Sequence, residues 1–180
     1  MAIPKNVEIP RGSGQFAKLQ DGKNNFRVLS DVVVGWELWK DKKPIRHEGA
    51  TCKFKPEEAD VNQNGKPNIN YFWAMAVWNY ADKKVQTLEI TQKTIMKTLY
   101  ELEQNPKWGD LKRFDIEITK TKDGDKTSYV VLSNPPEPLE ASIAEAYQKT
   151  PVDLTKLFDG KYPIQESSSE IEVNPEDIPF

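Results

Sequence analysis

Few side chains in this sequence could carry out acid–base, nucleophilic or metal chemistry. It has one histidine, His47, and one cysteine, Cys52, so one chain cannot supply a four-ligand structural zinc site of the usual histidine and cysteine type. Nucleophile-elbow and phosphate-loop motifs are missing. Asp115 and Glu117 lie two apart in a predicted strand and share a face that could hold Mg²⁺, although a solvated strand face is the commoner explanation. We therefore expect a protein that is not an enzyme and that needs no metal or cofactor.

Large aromatic residues are concentrated in two apolar, β-branched stretches. Because side chains alternate along a strand, Tyr71 and Trp73 should point to one face of the second stretch, with Phe72, Trp78 and Tyr80 on the other. A small barrel can enclose only one of these sets. The other set must meet a helix, a partner or a ligand.

Cations follow the first aromatic stretch. Six of them lie between residues 40 and 55: Lys40, Lys42, Lys43, Arg46, Lys53 and Lys55. Exposed rings stack on nucleobases and nearby cations follow phosphates, so this combination predicts a site for single-stranded nucleic acid. The residues that we expect to contact the nucleic acid are Trp36, Trp39, Lys43, Arg46, Lys53, Phe72, Trp78 and Tyr80. Rings buried in the core beside a solvated lysine loop remain the alternative, and alternation alone does not choose the face.

The elements that would position these residues follow from the apolar pattern. Strands are predicted at residues 25–39, with Gly35 placed where the strand could bend or bulge, and at 69–80, 85–90, 114–120 and 127–133. Ile95, Leu99 and Leu102 predict a helix with Thr91 as its N-cap, and a shorter helix is predicted at 139–148. A long polar connection at 40–68, with a short extended piece at "ATCKF", separates the first two strands. This order predicts a mainly β protein, a five-stranded OB-fold Greek-key barrel with a helix between strands 3 and 4 and an extra C-terminal helix.

Charge and composition divide the chain. Residues 1–134 carry 22 Lys and Arg against 18 Asp and Glu, whereas residues 135–180 carry 3 against 10. We expect a flexible N-terminal arm at 1–20, a binding domain at 21–150 and a disordered acidic tail at 151–180. The arm and the helix at 139–148 are candidate regions for self-association. The single cysteine and the lack of a signal sequence or a long apolar run favour a cytoplasmic protein without membrane contact.

The last five residues, "EDIPF", resemble the acidic tip of bacterial single-stranded-DNA-binding proteins. In that family the tip docks replication and repair partners. The resemblance implies a partner-binding segment formed by Glu176, Asp177, Ile178, Pro179 and Phe180. Asn174-Pro175 stands where that family has further acids.

The body is similar to the phage-encoded single-stranded-DNA-binding proteins with an OB-fold core, over roughly residues 14–150. The segments "QTLEITQKTI" and "NPKWGD" carry the likeness most specifically. It implies sequence-independent coating of single-stranded DNA during phage replication, recombination or repair, in the host bacterial cytoplasm. Two alternatives stay open: an OB-fold RNA-binding module, and a protein–protein adaptor that binds no nucleic acid.

Overall fold

The computed structural model describes residues 14–165. Strands make up 41% of these residues and helices 21%, against 20–25% strand in ordinary domains, so the protein is mainly β as the sequence predicts. Eight strands form one sheet: β1 (Phe16–Ala17), β2 (Gly22–Val28), β3 (Val33–Lys40), β4 (Lys43–Glu48), β5 (Ile69–Asn79), β6 (Lys84–Ile90), β7 (Asp115–Asp123) and β8 (Lys126–Ser133). The helices are α1 (Lys93–Gln104), α2 (Ala141–Gln148) and three 3₁₀ helices at Pro56–Glu58, Leu111–Arg113 and Leu154–Asp159.

The sheet curls around the central strand β5. Its order is β1-β6-β5-β2-β7-β8, and β3 pairs with β5 and with β4. One edge of β5 therefore pairs with β6, while the other pairs first with β3 and then with β2. Within residues 14–165, β6 and β8 do not pair, so the sheet is not closed into a barrel.

The first predicted strand is divided in two. Val28 pairs with Val77, and Val33 pairs with Ala74. Four residues separate Val28 from Val33, but only two separate their partners in β5, so the first strand has two extra residues here. The extra residues form a bulge at 29–32, where the Ser30 hydroxyl oxygen accepts from the Ala76 backbone N–H at 2.8 Å. The irregularity that the sequence suggested near Gly35 lies instead at 29–32, and Gly35 is inside β3.

The polar connection at 40–68 is more structured than the sequence suggests. Asp41 and Lys42, with φ of 52° and 62°, form a tight two-residue turn into β4. Later in the connection, the Asp60 backbone N–H donates to the Trp39 carbonyl at 2.8 Å, which folds the segment back onto β3. The expected extended piece at "ATCKF" is not a strand. Pro44 and the charged residues around it interrupt the alternation of apolar and polar residues, so the sequence pattern does not predict β4.

The main core lies on the inner face of the curled sheet, where Met75 and Val77 of β5 meet α1. Ile95 and Leu99 of α1 are fully buried, as the predicted helical spacing requires. The helix begins one residue later than expected, because its N-cap is Gln92 and not Thr91.

The C-terminal segment covers part of the outer face. Ile143 of α2 packs with Ala76 and Val85, and Leu157 of the last 3₁₀ helix packs with Phe72 and Ala74. We call residues 151–165 the C-terminal cap. The side-chain amide of Gln15 donates to the Ile164 carbonyl at 3.0 Å, which ties this cap to the start of the sheet. Residues of the predicted arm (1–20) and of the predicted tail (151–180) that the structure describes therefore pack on the rest of the domain.

Candidate nucleic-acid interface

The N-terminal half of β5 and the facing strand β3 place three large rings side by side on the inner face. Trp36 lies opposite Tyr71, with ring centroids 5.4 Å apart and planes tilted by 53°. The Trp73 indole N–H donates to the Tyr71 hydroxyl at 3.2 Å. All three rings are only partly buried. Along this face, the fully buried residues of the main core are therefore followed by rings that are partly exposed to solvent.

β4 adds a second layer to this group. His47 lies opposite Trp36, and its ring centroid is 4.6 Å from that of Phe54. The indole N–H of Trp36 donates to the Ala50 carbonyl at 3.0 Å, which fixes the orientation of the ring. We call these five residues, Trp36, His47, Phe54, Tyr71 and Trp73, the inner aromatic row.

His47 also holds the loop that follows β4. Its Nε2 accepts from the Lys53 backbone N–H at 2.9 Å, while Nδ1 lies 3.1 Å from the Glu48 carbonyl. Nε2 thus acts as an acceptor, and Nδ1 is placed to donate. The ring thus positions Lys53 beside the inner aromatic row.

Four exposed lysines belong to the strands and the loop that carry the row. Lys43 pairs with Lys40 at the end of the β3–β4 hairpin, and alternation puts both on the face that carries Trp36. Lys53 and Lys55 follow from the loop held by His47, and all four lysines are exposed. These side chains therefore keep their positive charge in contact with solvent.

Two predicted contact residues belong to the outer face and are used for packing. Phe72 has 0% exposure and its ring lies 6.1 Å from that of Phe158 in the C-terminal cap. Trp78 packs against the apolar group that includes Ile143 of α2. Phe72 therefore cannot stack on a base, because β5 turns it beneath the cap.

Tyr80 is held by polar contacts on the same outer side. Its hydroxyl donates to a carboxylate oxygen of Asp115 at 2.8 Å, and Arg27 lies 3.3 Å from the same oxygen. Burial and the Asp115 carboxylate raise the pKa of Tyr80 above its ordinary value. Asp115 is thus already paired, and Glu117 lies 4.0 Å from Lys23. Residues 14–165 contain no group of three or more His, Cys, Asp or Glu arranged to hold a metal ion.

Arg46 is buried on the outer face. Its side chain is 6% exposed and lies 2.9 Å from Glu89 and 3.5 Å from Glu37, with its guanidinium over the Phe72 ring. Trp39 is on the same side and hydrogen-bonds Glu37. Burial, reinforced by Glu89, raises the pKa of Glu37 to about 9. Arg46 faces two acids here and is not accessible to a phosphate.

Of the predicted contact residues, Trp36 and Lys43 lie on the inner side, and Lys53 belongs to the loop that His47 holds. The sequence missed Tyr71, Trp73, His47 and Phe54 as members of the same group. Tyr71 and Trp73 were visible as one alternating set, but only the pairing of β3 with β4 and β5 shows that this set lies beside Trp36 and His47. The predicted tail residues Glu176, Asp177, Ile178, Pro179 and Phe180 lie outside the described residues.

Comparisons of the chain with protein-family models, with curated proteins and with solved structures find no match. No helix within the described part of the chain is long and apolar enough to cross a lipid bilayer.

Proposed function

We propose that this protein binds single-stranded DNA without sequence preference, and that the inner aromatic row is its binding surface. The observation that carries the proposal is the close contact of partly exposed rings, Trp36 on Tyr71, with exposed lysines on the same face. The role is binding and protection of the strand, not catalysis.

The strand order supports an OB-fold interpretation. If β2 and β3 together count as the first strand, then β5, β6, β7 and β8 follow in order, with α1 between the third and the fourth. The first strand pairs with the second and the fourth, as β2 does with β5 and β7. In OB-folds the connection between strands 1 and 2 lines the oligonucleotide site, and here that connection carries β4, His47, Phe54 and the lysines. The fold would then be an open variant, in which β6 and β8 are not paired with each other.

Binding would combine stacking and charge. Each base stacked on an aromatic ring contributes roughly 1–3 kcal/mol, whatever the base, because every base offers a π face. Lys43 and Lys53 would contact phosphates and release counterions, so affinity should fall with added salt. Trp39, Arg46, Phe72, Trp78 and Tyr80 have structural roles on the outer face in this account.

The biological setting follows from the two resemblances. The protein would coat single strands exposed during phage DNA replication, recombination or repair in the bacterial cytoplasm. Its tip, Glu176 to Phe180, would recruit replication and recombination proteins. Proline lowers the ordering cost of such a peptide, and a terminal aromatic ring can fill a small apolar pocket.

The test is a titration of labelled oligo-dT with wild type, Trp36→Ala and Tyr100→Ala. Tyr100 is an exposed ring on α1, 58% accessible and outside the row, so it is the matched control. Trp36→Ala should weaken binding by roughly 5- to 150-fold, and Tyr100→Ala should leave it unchanged. Lys43→Ala should also reduce the slope of log affinity against log salt by about 0.7.

Three outcomes would reject the proposal. Wild type that does not bind oligo-dT would favour the adaptor. Preference for oligo-rU would favour an RNA-binding module. Equal effects of Trp36→Ala and Tyr100→Ala would remove the inner aromatic row from the binding surface.

A further inference from the structure

The inner face of the β3–β4 hairpin is sorted by residue type. Three opposed pairs of its ladder share this face: Trp36 with His47, Leu38 with Ile45, and Lys40 with Lys43. Side chains two residues apart point to the same side of a strand and lie about 6.7 Å apart along it. Towards the turn of the hairpin, the face therefore carries first rings, then aliphatic side chains, then ammonium groups.

Ile45 is the accessible member of the aliphatic pair. It is 52% exposed, whereas Leu38 opposite it is only 2% exposed. On the other side of Leu38, Ile69 of β5 continues the aliphatic line and is partly buried. Ile45 thus presents hydrocarbon to solvent between the rings of the inner aromatic row and the exposed lysines at the turn.

The rings next to Ile45 have their polar atoms engaged. His47 Nε2 accepts from the Lys53 backbone N–H at 2.9 Å, and His47 Nδ1 lies 3.1 Å from the Glu48 carbonyl. The Tyr71 hydroxyl accepts from the Trp73 indole at 3.2 Å. The aliphatic side chains have neither donors nor acceptors. A hydroxyl group placed over Ile45 would therefore lose water and gain no partner from the aliphatic line.

This order of rings, hydrocarbon and cations follows the order of base, sugar and phosphate in a nucleotide. With a base stacked on the inner aromatic row and its phosphate at Lys43, the sugar between them would lie over Ile45. At C2′, deoxyribose presents a methylene group, whereas ribose presents a hydroxyl that both donates and accepts hydrogen bonds. Covering that hydroxyl with hydrocarbon is unfavourable, because it exchanges water for no partner.

We propose that Ile45 contacts the sugar and makes the binding surface select deoxyribose over ribose. The inference rests on the proposed function, since it requires bases on the inner aromatic row. It adds a specificity-determining residue to that surface, and it gives a physical reason for binding DNA in preference to RNA.

Affinities for oligo-dU and oligo-rU of equal length test the inference, because the two oligomers have the same bases and charge and differ in the 2′ hydroxyl. Wild type should bind oligo-dU more tightly by roughly 5-fold or more, as expected for a hydroxyl left without a partner. Ile45→Val keeps a β-branched apolar side chain and should keep this ratio. Ile45→Thr has nearly the shape of Ile45→Val but adds a hydroxyl that can pair with ribose, so its ratio should fall towards one.

Val61→Thr is the matched control. Val61 is 67% exposed and follows β4 in the chain, outside the sorted face of the hairpin, so this variant should keep the wild-type ratio. The ratio should also stay the same when added salt weakens binding of both oligomers, because their phosphates are identical. Circular dichroism would confirm that all variants are folded.

Equal affinity of wild type for oligo-dU and oligo-rU would overturn the inference and leave DNA binding in place. Equal ratios in Ile45→Val and Ile45→Thr would also overturn it, since the side chain at position 45 would then not contact the sugar. A wild type that binds neither oligomer would instead reject the proposed function, and this inference with it.

Discussion

At the scale of single residues, the main electrostatic feature is the buried group of Glu37, Arg46 and Glu89. Arg46 contacts both acids, yet Glu37 Oε2 and Arg46 Nε have no hydrogen-bond partner within the described structure and are separated by 3.5 Å. One arginine thus faces two carboxylates, and burial penalises the ionised form of Glu37. A raised pKa for Glu37, to about 9, follows from that burial and from the neighbouring Glu89.

This group makes stability depend on pH. The folded-state pKa of Glu37 is raised from 4.5 to about 9, so the folded state holds a proton that the unfolded chain releases. The resulting stabilisation is complete below pH 4.5 and is lost as the pH rises towards 9. The free energy of unfolding of wild type should therefore fall over this window, by up to about 1.4 kcal/mol per pH unit. Glu37→Gln, which keeps the shape without the charge, should flatten this dependence in urea titrations at several pH values.

Glu101→Gln is the control, since Glu101 is exposed on α1. It should retain the wild-type dependence on pH. The interpretation fails if Glu37→Gln and wild type lose stability in parallel across the window.

At the scale of elements, Gly35 brings β3, β4 and the C-terminal cap together. A Cβ at this position would overlap the carbonyl oxygen of His47 and would lie 2.9 Å from the Phe158 ring and 3.0 Å from the Phe72 ring. β4 positions His47 on the inner face, and the cap covers the outer face. Both therefore contact Gly35, which has no side chain. A side chain at position 35 would therefore disturb both β4, which carries His47, and the cap.

Gly35→Ala should therefore have two effects. We expect a loss of stability of roughly 1–3 kcal/mol from overpacking, because the β4 backbone cannot yield as a flexible side chain would. We also expect weaker oligo-dT binding, because β4 carries His47 and the loop that holds Lys53. Denaturant unfolding and oligonucleotide titration measure the two effects.

Gly22→Ala is a useful comparison, since Gly22 has a φ of 90° and a Cβ added there would have no described atom within 4 Å. It should cost stability through backbone strain but leave oligo-dT affinity unchanged. Wild-type stability and affinity in Gly35→Ala would contradict the close approach.

At the scale of the whole molecule, local pattern predicted the long elements. β5, β6, α1, β7 and β8 lie close to their predicted bounds, because each has a strong apolar period that packing reinforces. The pattern failed at β4, where proline and charges mask a strand that forms only by pairing with β3. It also could not choose between the faces of β5, because both carry rings and the choice depends on α2 and the cap, which come from residues far along the chain.

The charge asymmetry of the chain belongs to this scale as well. Residues 1–134 have a net charge of +4 and residues 135–180 a net charge of −7. An acidic terminus can compete with DNA for exposed lysines, so its removal should not weaken DNA binding. Deleting residues 174–180 should leave oligo-dT affinity equal or higher and abolish the capture of replication partners in pull-down experiments.

The matched control is Glu101→Gln with Glu103→Gln. It removes two acidic charges from α1, as the deletion removes Glu176 and Asp177, and should keep partner capture. A truncated protein that loses DNA binding would refute the separation of the DNA-binding and partner-binding roles.

The most direct test of the inner aromatic row is tryptophan fluorescence during titration with oligo-dT. Wild type, Trp36→Phe and Trp78→Phe would be compared at equal concentration. Stacking on the inner face predicts strong quenching in wild type and in Trp78→Phe, with clearly reduced quenching in Trp36→Phe, where Trp73 is the remaining indole of the inner aromatic row. Quenching that survives in Trp36→Phe and disappears in Trp78→Phe, or that is absent from wild type, would contradict the account.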